Sequence, residues 1–292
     1  MLIDLHTHSR ASDGTDSPAE VIGKAHASGL DVIGLTDHDS AAGWAEAATA
    51  ARAVGVTLVP GMEISTKLHG AGVHLLAYLP DPTYPPLVDE LTKILAGRTG
   101  RLGAMLGQLR EAGVDITEEE VLAQVGDSPA IGRPHIADVL VAKGVVTDRT
   151  EAFRDWLGWG RPGYAVRYAT PTEDMVAIVT AAGGAAVIAH PWGRGSRRVL
   201  DRVALAELVD LGLTGIEVDH QDHADADREA LRRLAADLGL VATGSSDYHG
   251  DGKVDHELGC NVTSEQQFEA LLTRAAANAA ATGRSAAEVV RP

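Results

Sequence analysis

Cysteine is all but missing: Cys260 stands alone among 292 residues. No intrachain disulfide can form, and a reducing, cytoplasmic setting is the expectation. Aromatic residues are scarce, with four Trp, five Tyr and two Phe. That removes most of the stacking surface that channels for long single strands combine with a basic groove. Basic residues are outnumbered, 25 Lys and Arg against 41 Asp and Glu, for a formal charge of −16. A long nucleic acid as partner is therefore disfavoured, because gripping its phosphates needs a basic track. No apolar run approaches a membrane span and no charged-then-apolar leader precedes the first strand, so no membrane partner is expected. The length suffices for a sizeable core without staples, as one large domain or a domain with an insertion. Oligomeric state is not legible; a monomer is compatible with everything above.

What the chain does contain is an alternation of short apolar strands and capped helices, the mark of a largely parallel α/β sheet or barrel. Met1–Leu5 reads as a strand, and Ser17-Pro18-Ala19-Glu20 opens a helix with cap, Pro and capping-box Glu. Strands follow at 31–36, 56–60 and 73–79, with a helix over 41–54. From residue 81 to 167 no strand pattern appears and helical stretches take over, one opened by Thr117-x-x-Glu120. Alternation then resumes: helices over 172–182 (cap at Thr170), 199–211 and 226–238, and strands at 185–189, 215–219 and 240–244. Thr263-x-x-Gln266 is expected to cap the last helix.

The polar residues fall selectively at the ends of these strands. His6 and His8, two apart on an extended chain, point to one face, where two imidazoles can grip one divalent metal. Asp13 follows in a polar loop. His38, Glu63, His190, and Asp247 with His249 occupy corresponding positions after later strands. In parallel α/β barrels that rim is where sites are assembled from residues far apart in sequence. His74 lies near a strand start, and His135 sits in the helical stretch beside Arg133 and Pro134. His220 and His223 end a strand and stay open between lining a pocket and doing nothing; His26, His69 and His256 read as exposed. The donor set mixes imidazole and carboxylate without thiolate, which suits Mn, Zn or Fe ions. Arg133 is the best candidate to bind phosphate, since guanidinium matches its oxygens bidentately. Arg194, with Arg197 and Arg198, forms a second basic cluster that is either another phosphate contact or a solvated loop.

In order along the chain, Asp4-Leu5-His6-Thr7-His8 with Asp13, Thr36-Asp37-His38-Asp39, Pro60-Gly61-Met62-Glu63, His74, Gly132-Arg133-Pro134-His135, Ala189-His190-Pro191 and Gly244-Ser245-Ser246-Asp247-Tyr248-His249 resemble the motifs of the PHP (polymerase and histidinol phosphatase) superfamily. The similarity is greatest to its stand-alone branch with a helical insertion. The resemblance implies an α/β fold, a distorted (β/α)7 barrel from residues 1–80 and 168–292, with a small helical domain inserted at 81–167. It implies two to three divalent metal ions. His6, His8, Glu63 and Asp247 would hold the first, and Asp13, His38 and His249 the second. Glu63 would reach with His74 and His135 to the third. Asp247 and His190 would be catalytic, with His190, Arg133 and Arg194 meeting substrate phosphate. The implied activity is a metal-dependent phosphoesterase using a metal-bridged hydroxide on a phosphate monoester of a small nucleotide-like substrate, a nucleotide or nucleoside 3′,5′-bisphosphate. Alternatives are a 5′-3′ exoribonuclease trimming oligonucleotides, a histidinol-phosphate phosphatase (against which the insertion counts), and a non-catalytic metal-holding module.

Overall fold

The computed structural model describes all 292 residues. The chain runs β1 (Ile3–Thr7), α1 (Pro18–Ala27), β2 (Val32–Leu35), α2 (Trp44–Val54), β3 (Thr57–Leu68) and β4 (Ala71–Tyr78). Helices α3 (Pro85–Glu111), α4 (Glu118–Val125), α5 (Arg133–Ala142) and α6 (Arg149–Ala152) follow. After a short β5 (Thr170–Pro171) come α7 (Thr172–Ala181), β6 (Ala185–Ile188), α8 (Arg202–Asp210), β7 (Leu213–Asp219), α9 (Asp225–Leu238), β8 (Val241–Gly244) and α10 (Glu265–Thr282).

The strands form one curled sheet in the order β1-β2-β3-β4-β6-β7-β8, with β5 added to β3. β1, β2 and β3 are mutually parallel, as are β6, β7 and β8. A parallel bridge from Thr7 to Tyr248 brings the two ends together, which makes the sheet a distorted barrel. The expected parallel arrangement fails at β4, which runs antiparallel to both β3 and β6. The cause is a tight two-residue turn: His69 (φ 47°) and Gly70 (φ 83°) take the left-handed conformation that joins twisted hairpin strands. The strand expected to stop at Pro60 therefore continues to Leu68. Glu63 consequently lies in mid-strand, opposite Leu76, and Ser65 lies opposite His74.

Two caps also differ from expectation. Thr170 pairs with β3 rather than capping α7, its hydroxyl 2.7 Å from Glu90 Oε2. Ser264, not Thr263, caps α10, because the Thr263 hydroxyl is held by the Gly244 backbone. α1 starts as its sequence dictates, with the reciprocal Ser17–Glu20 box in place.

One apolar cluster joins Val73, Leu75 and Ala77 of β4 to β6, β7 and helices α7–α9. The opposite face of β4, with Leu76 and Tyr78, packs with β1, β6, β8 and α10 in a second cluster. A third lies under α1 and α2. A fourth is confined to residues 102–157, where the α3 C-terminal half, α4, α5 and α6 bury Leu106, Leu109, Val121, Ile136 and Leu140 against one another. The N-terminal half of α3 instead gives Leu87 and Ile94 to the sheet's cluster.

Candidate metal centre

His6 and His8, both fully buried at the end of β1, bring their Nε2 atoms to 3.0 Å of each other. Glu63 Oε2 lies 3.4 Å from the first and 3.2 Å from the second. Asp247 Oδ1 lies 3.5 and 3.4 Å from the same two atoms. A tetrahedral ion with bonds of about 2.0–2.1 Å spaces its ligands about 3.3–3.4 Å apart, so these atoms already stand at ligand spacing. Asp247 Oδ1 is also buried without a hydrogen-bond partner, an acceptor whose desolvation nothing in the protein offsets. That orphaned oxygen and its donor set fit a divalent cation.

A second group adjoins the first. Asp13 lies 3.6 Å from His38 Nε2, 3.4 Å from His249 Nε2 and 3.8 Å from His8 Nδ1, and the His8 and His249 rings stack at 4.1 Å. A third group consists of His38, Glu63 and His74, all within reach of one ion. Glu63 is the hinge of the arrangement. Its Oε2 serves His6, His8 and His38, while Oε1 meets His74 at 2.7 Å and His190 at 3.0 Å. Burial acts against every charge here. It pushes the carboxyls of Asp13, Glu63 and Asp247 up, but the neighbouring imidazoles, and Lys253 at Asp247, outweigh it and hold all three well below the usual carboxylate range. Burial drives His38 and His190 down to about 3 and His249 to about 4. His6 and His8 escape this. The carboxylates around them overcome burial and raise both, His8 to about 9.

Three strand-end residues of this site, Asp39 (φ 53°), His190 (φ 30°) and Asp247 (φ 53°), adopt left-handed backbone. Each costs of order 1–3 kcal/mol and persists because surrounding contacts over-determine it. Those contacts come from residues with no role in the expected ligand set. Glu217, fully buried on β7, takes His6 Nδ1 at 3.1 Å, the His190 N–H at 2.8 Å and the Ser245 hydroxyl. Asp37 accepts from the Ser9 N–H, the Ser9 hydroxyl and the Ser12 hydroxyl. Asp39 accepts from Ser65 and from Arg98 Nε at 2.7 Å. Asp4 accepts from the Ser246 and Gly259 N–H groups. The helical stretch reaches in as well: the Ser128 hydroxyl donates to the Ser12 carbonyl and Arg149 to the Asp13 carbonyl.

Not every expected residue joins these groups. His135 stays outside all of them, at the start of α5, where its Nδ1 accepts the Gly132 N–H as that helix's cap. Arg133 is half-buried over the Phe153 and Tyr164 rings, with one nitrogen on the Leu157 carbonyl. Arg194 reaches Asp247 Oδ2 at 2.8 Å and Asp222 at 3.1 Å, whereas Arg197 faces Asp227 and Trp192 away from Asp247. His256, expected to be exposed, is buried with its ring 5.8 Å from that of His220. His220 takes the Asp222 N–H on Nδ1, so its Nε2 carries the proton toward Asp247 Oδ2 at 3.2 Å. Lys253, unremarked in the sequence, also contacts Asp247 Oδ2. The one readable signal for Glu217 is a glutamate set between Ile216 and Val218 in a buried strand.

Residues 4–119 match the PHP domain family. A 3′,5′-nucleoside bisphosphate phosphatase from Chromobacterium violaceum is 36% identical over 257 residues, covering 88% of this chain and 90% of the relative. The chain belongs to the PHP family. A 5′-3′ exoribonuclease from Haemophilus influenzae is 33% identical over 246 residues, covering 84% of this chain and 89% of the relative. The crystal structure of a candidate metal-dependent phosphoesterase from Bifidobacterium adolescentis superposes with a TM-score of 0.89 at 36% identity, covering 93% of this chain and 96% of that one. This PHP protein is a metal-dependent phosphoesterase. None of its helices is long and apolar enough to cross a membrane.

Proposed function

We propose that this PHP phosphoesterase hydrolyses a phosphate monoester of a small nucleotide-like substrate, a nucleoside 3′,5′-bisphosphate or a nucleotide. The observation that carries the reading is a compact set of adjoining His and carboxylate groups able to hold cations in a chain whose formal charge is −16. Cations confined to such a site hold one or two phosphates and offer no track to a following strand. The Chromobacterium relative's activity supports the same choice. In this reading residues 1–80 and 168–292 form the barrel and 81–167 the inserted helical domain.

The ligands are assigned as His6, His8, Glu63 and Asp247 for one ion and His8, Asp13, His38 and His249 for a second, with His38, Glu63 and His74 completing a third. Mn, Zn or Fe suits that mixture of nitrogen and oxygen donors. When bound, such ions polarise phosphoryl oxygens and bring the pKa of water to about 7. The chain's own part is orientation. Glu63 and Asp247 fix the reacting centre, and His190, kept neutral by burial and Arg194, is assigned to the substrate phosphate. Arg194 and Arg133 present planar forks that match phosphoryl oxygens.

A second reading, trimming of RNA from its 5′ end, is favoured by the Haemophilus relative and by Trp159, which is 76% exposed and available for stacking. The deciding measurement is kcat/KM of the Mn-loaded enzyme on a nucleoside bisphosphate, a 5′-phosphorylated short oligomer, a long RNA and histidinol phosphate. The bisphosphate is expected to lead. A preference for long RNA above ~10-fold, or ~1.4 kcal/mol, would replace this reading with the exonuclease.

A further inference from the structure

One oxygen of Asp247 is bare and the other is crowded. Oδ1, turned toward His6 and His8, is buried without a hydrogen-bond partner. Oδ2 takes three donors: His220 Nε2 at 3.2 Å, Arg194 Nη2 at 2.8 Å and the Lys253 ammonium. Two of these are full cations on a group that carries one negative charge. The three are not held alike. His220 is fully buried, its Nδ1 fixed by the Asp222 N–H at 3.0 Å. Arg194 has a second carboxylate, Asp222 at 3.1 Å. Lys253 has neither support: Asp247 is its sole ion pair, and two of its three N–H donors are unused.

Lys253 reaches Asp247 from a surface strap that turns on left-handed Gly250 (φ 67°) and Asp255 (φ 61°). The strap is anchored near both ends. The Asp251 N–H donates to the Thr15 hydroxyl at 3.0 Å, and Gln221 donates to the Asp255 carbonyl at 2.8 Å. Between these anchors Val254 is 71% exposed, and the Lys253 side chain is half-buried as it points inward. A flexible four-carbon stem can swing its ammonium off Asp247 without moving either anchor. The adjoining His220, Asp247 and His256 cannot use this oxygen for an ion of their own, because the His220 proton and the ammonium already face it. What this side of Asp247 lacks is an anion. A divalent cation against Oδ1 would add to the positive charge and loosen the hold of Asp247 on Lys253 by like-charge repulsion.

We propose that Lys253 is a substrate-binding residue, which leaves Asp247 for the oxygens of the reacting phosphoryl group once cations fill the site. Its ammonium then donates charge-assisted hydrogen bonds to a dianionic phosphomonoester, while His220 keeps Asp247 in place. This rests on the phosphoesterase activity and not on which nucleotide is cleaved.

The test compares Mn-loaded wild type with Lys253→Met and Lys253→Arg by calorimetric titration with inorganic phosphate, which needs no turnover. Lys253→Met is expected to weaken phosphate binding ~30-fold or more, and Lys253→Arg by less than ~10-fold, because the charge is kept. Unchanged affinity in Lys253→Met, or equal losses in the two variants, overturns the proposal, as does a wild type that binds no phosphate. Competition with a chelator reads the alternative that Lys253 merely tethers Asp247. Mn affinity is expected to be unchanged or higher in Lys253→Met, since a competing cation has gone; a loss beyond ~3-fold would make Lys253 a positioning residue and overturn the proposal. On adenosine 3′,5′-bisphosphate, kcat/KM is expected to fall ~100-fold in Lys253→Met, mostly through KM, and a fall below ~3-fold would also count against it. If the wild type does not hydrolyse the bisphosphate, the substrate reading fails while the phosphate titration still decides the role of Lys253.

Discussion

At the scale of single residues, the site is a balance between burial and charge. Asp247 is the clearest case, with one oxygen orphaned toward His6 and His8 and the other gripped by His220, Arg194 and Lys253. Asp247→Ala is expected to keep the fold and lose activity by ~10³-fold or more, because it removes a group needed at the reacting centre. Near-native turnover in a folded variant would take Asp247 out of the site. Glu217 acts through His6, whose ring it orients from behind. Glu217→Gln is expected to weaken metal affinity ~10–100-fold, measured by competition with a chelator, since losing such a partner loosens ring orientation and basicity. Protonation gives a further test. His6 and His8 are raised in the folded metal-free chain, so their contribution is full below the unfolded value of about 6.5 and is lost as pH rises, for His8 through about 9. His38, His190 and His249 are depressed, so their cost appears as pH falls below about 6.5 toward 3–4. The metal-free protein is therefore expected to melt highest near pH ~6.5, and a midpoint rising steadily from there to pH 9 would contradict it.

At the scale of elements, two connections decide where the site residues meet. The first is the β3–β4 hairpin, which swings His74 back onto Glu63 although eleven positions separate them. The second is α3, which carries Arg98 from outside the sheet onto Asp39 and Ser65. Asp39 and Arg98 are both buried and each satisfies the other. Arg98→Met is expected to destabilise the protein by about 3–5 kcal/mol in urea unfolding, because the Asp39 carboxylate is left buried beside Ser65 alone. A loss under ~1 kcal/mol would mean that water reaches Asp39 and that α3 is not tied to the sheet through this pair. Capping behaves differently along the chain. Ser17 and Thr117 form their boxes because nothing competes for their hydroxyls, whereas Thr263 fails because the backbone of β8 takes its hydroxyl first.

At the scale of the whole molecule, a chain of formal charge −16 carries one compact group of candidate metal ligands. On the proposed reading a small substrate meets only that group, so kcat/KM on a nucleoside bisphosphate is expected to fall with a log–log salt slope of about −1 to −2, against a much steeper slope for binding along a strand. A slope beyond about −4 would point to an extended track that this charge distribution does not provide.

Much of this was already written in the chain. His6, His8, Asp13, His38, His190, Asp247 and His249 were legible as candidates because each lies within a short local pattern at or just after a strand end, and a strand carries its end residues wherever the sheet takes it; Glu63 was legible from its Pro60-Gly61-Met62-Glu63 pattern, although it lies in mid-strand. The helix starts at Ser17 and Thr117 were legible for the same reason. Tertiary structure alone decided the rest. It turned β4 against its neighbours, put His135 Nδ1 on the Gly132 N–H at its own helix start, and buried His256. It brought Glu217 to His6 across 211 positions and Arg98 to Asp39 across 59. No local pattern encodes those meetings, because a buried charge reveals its partner only once the packing has removed the water between them.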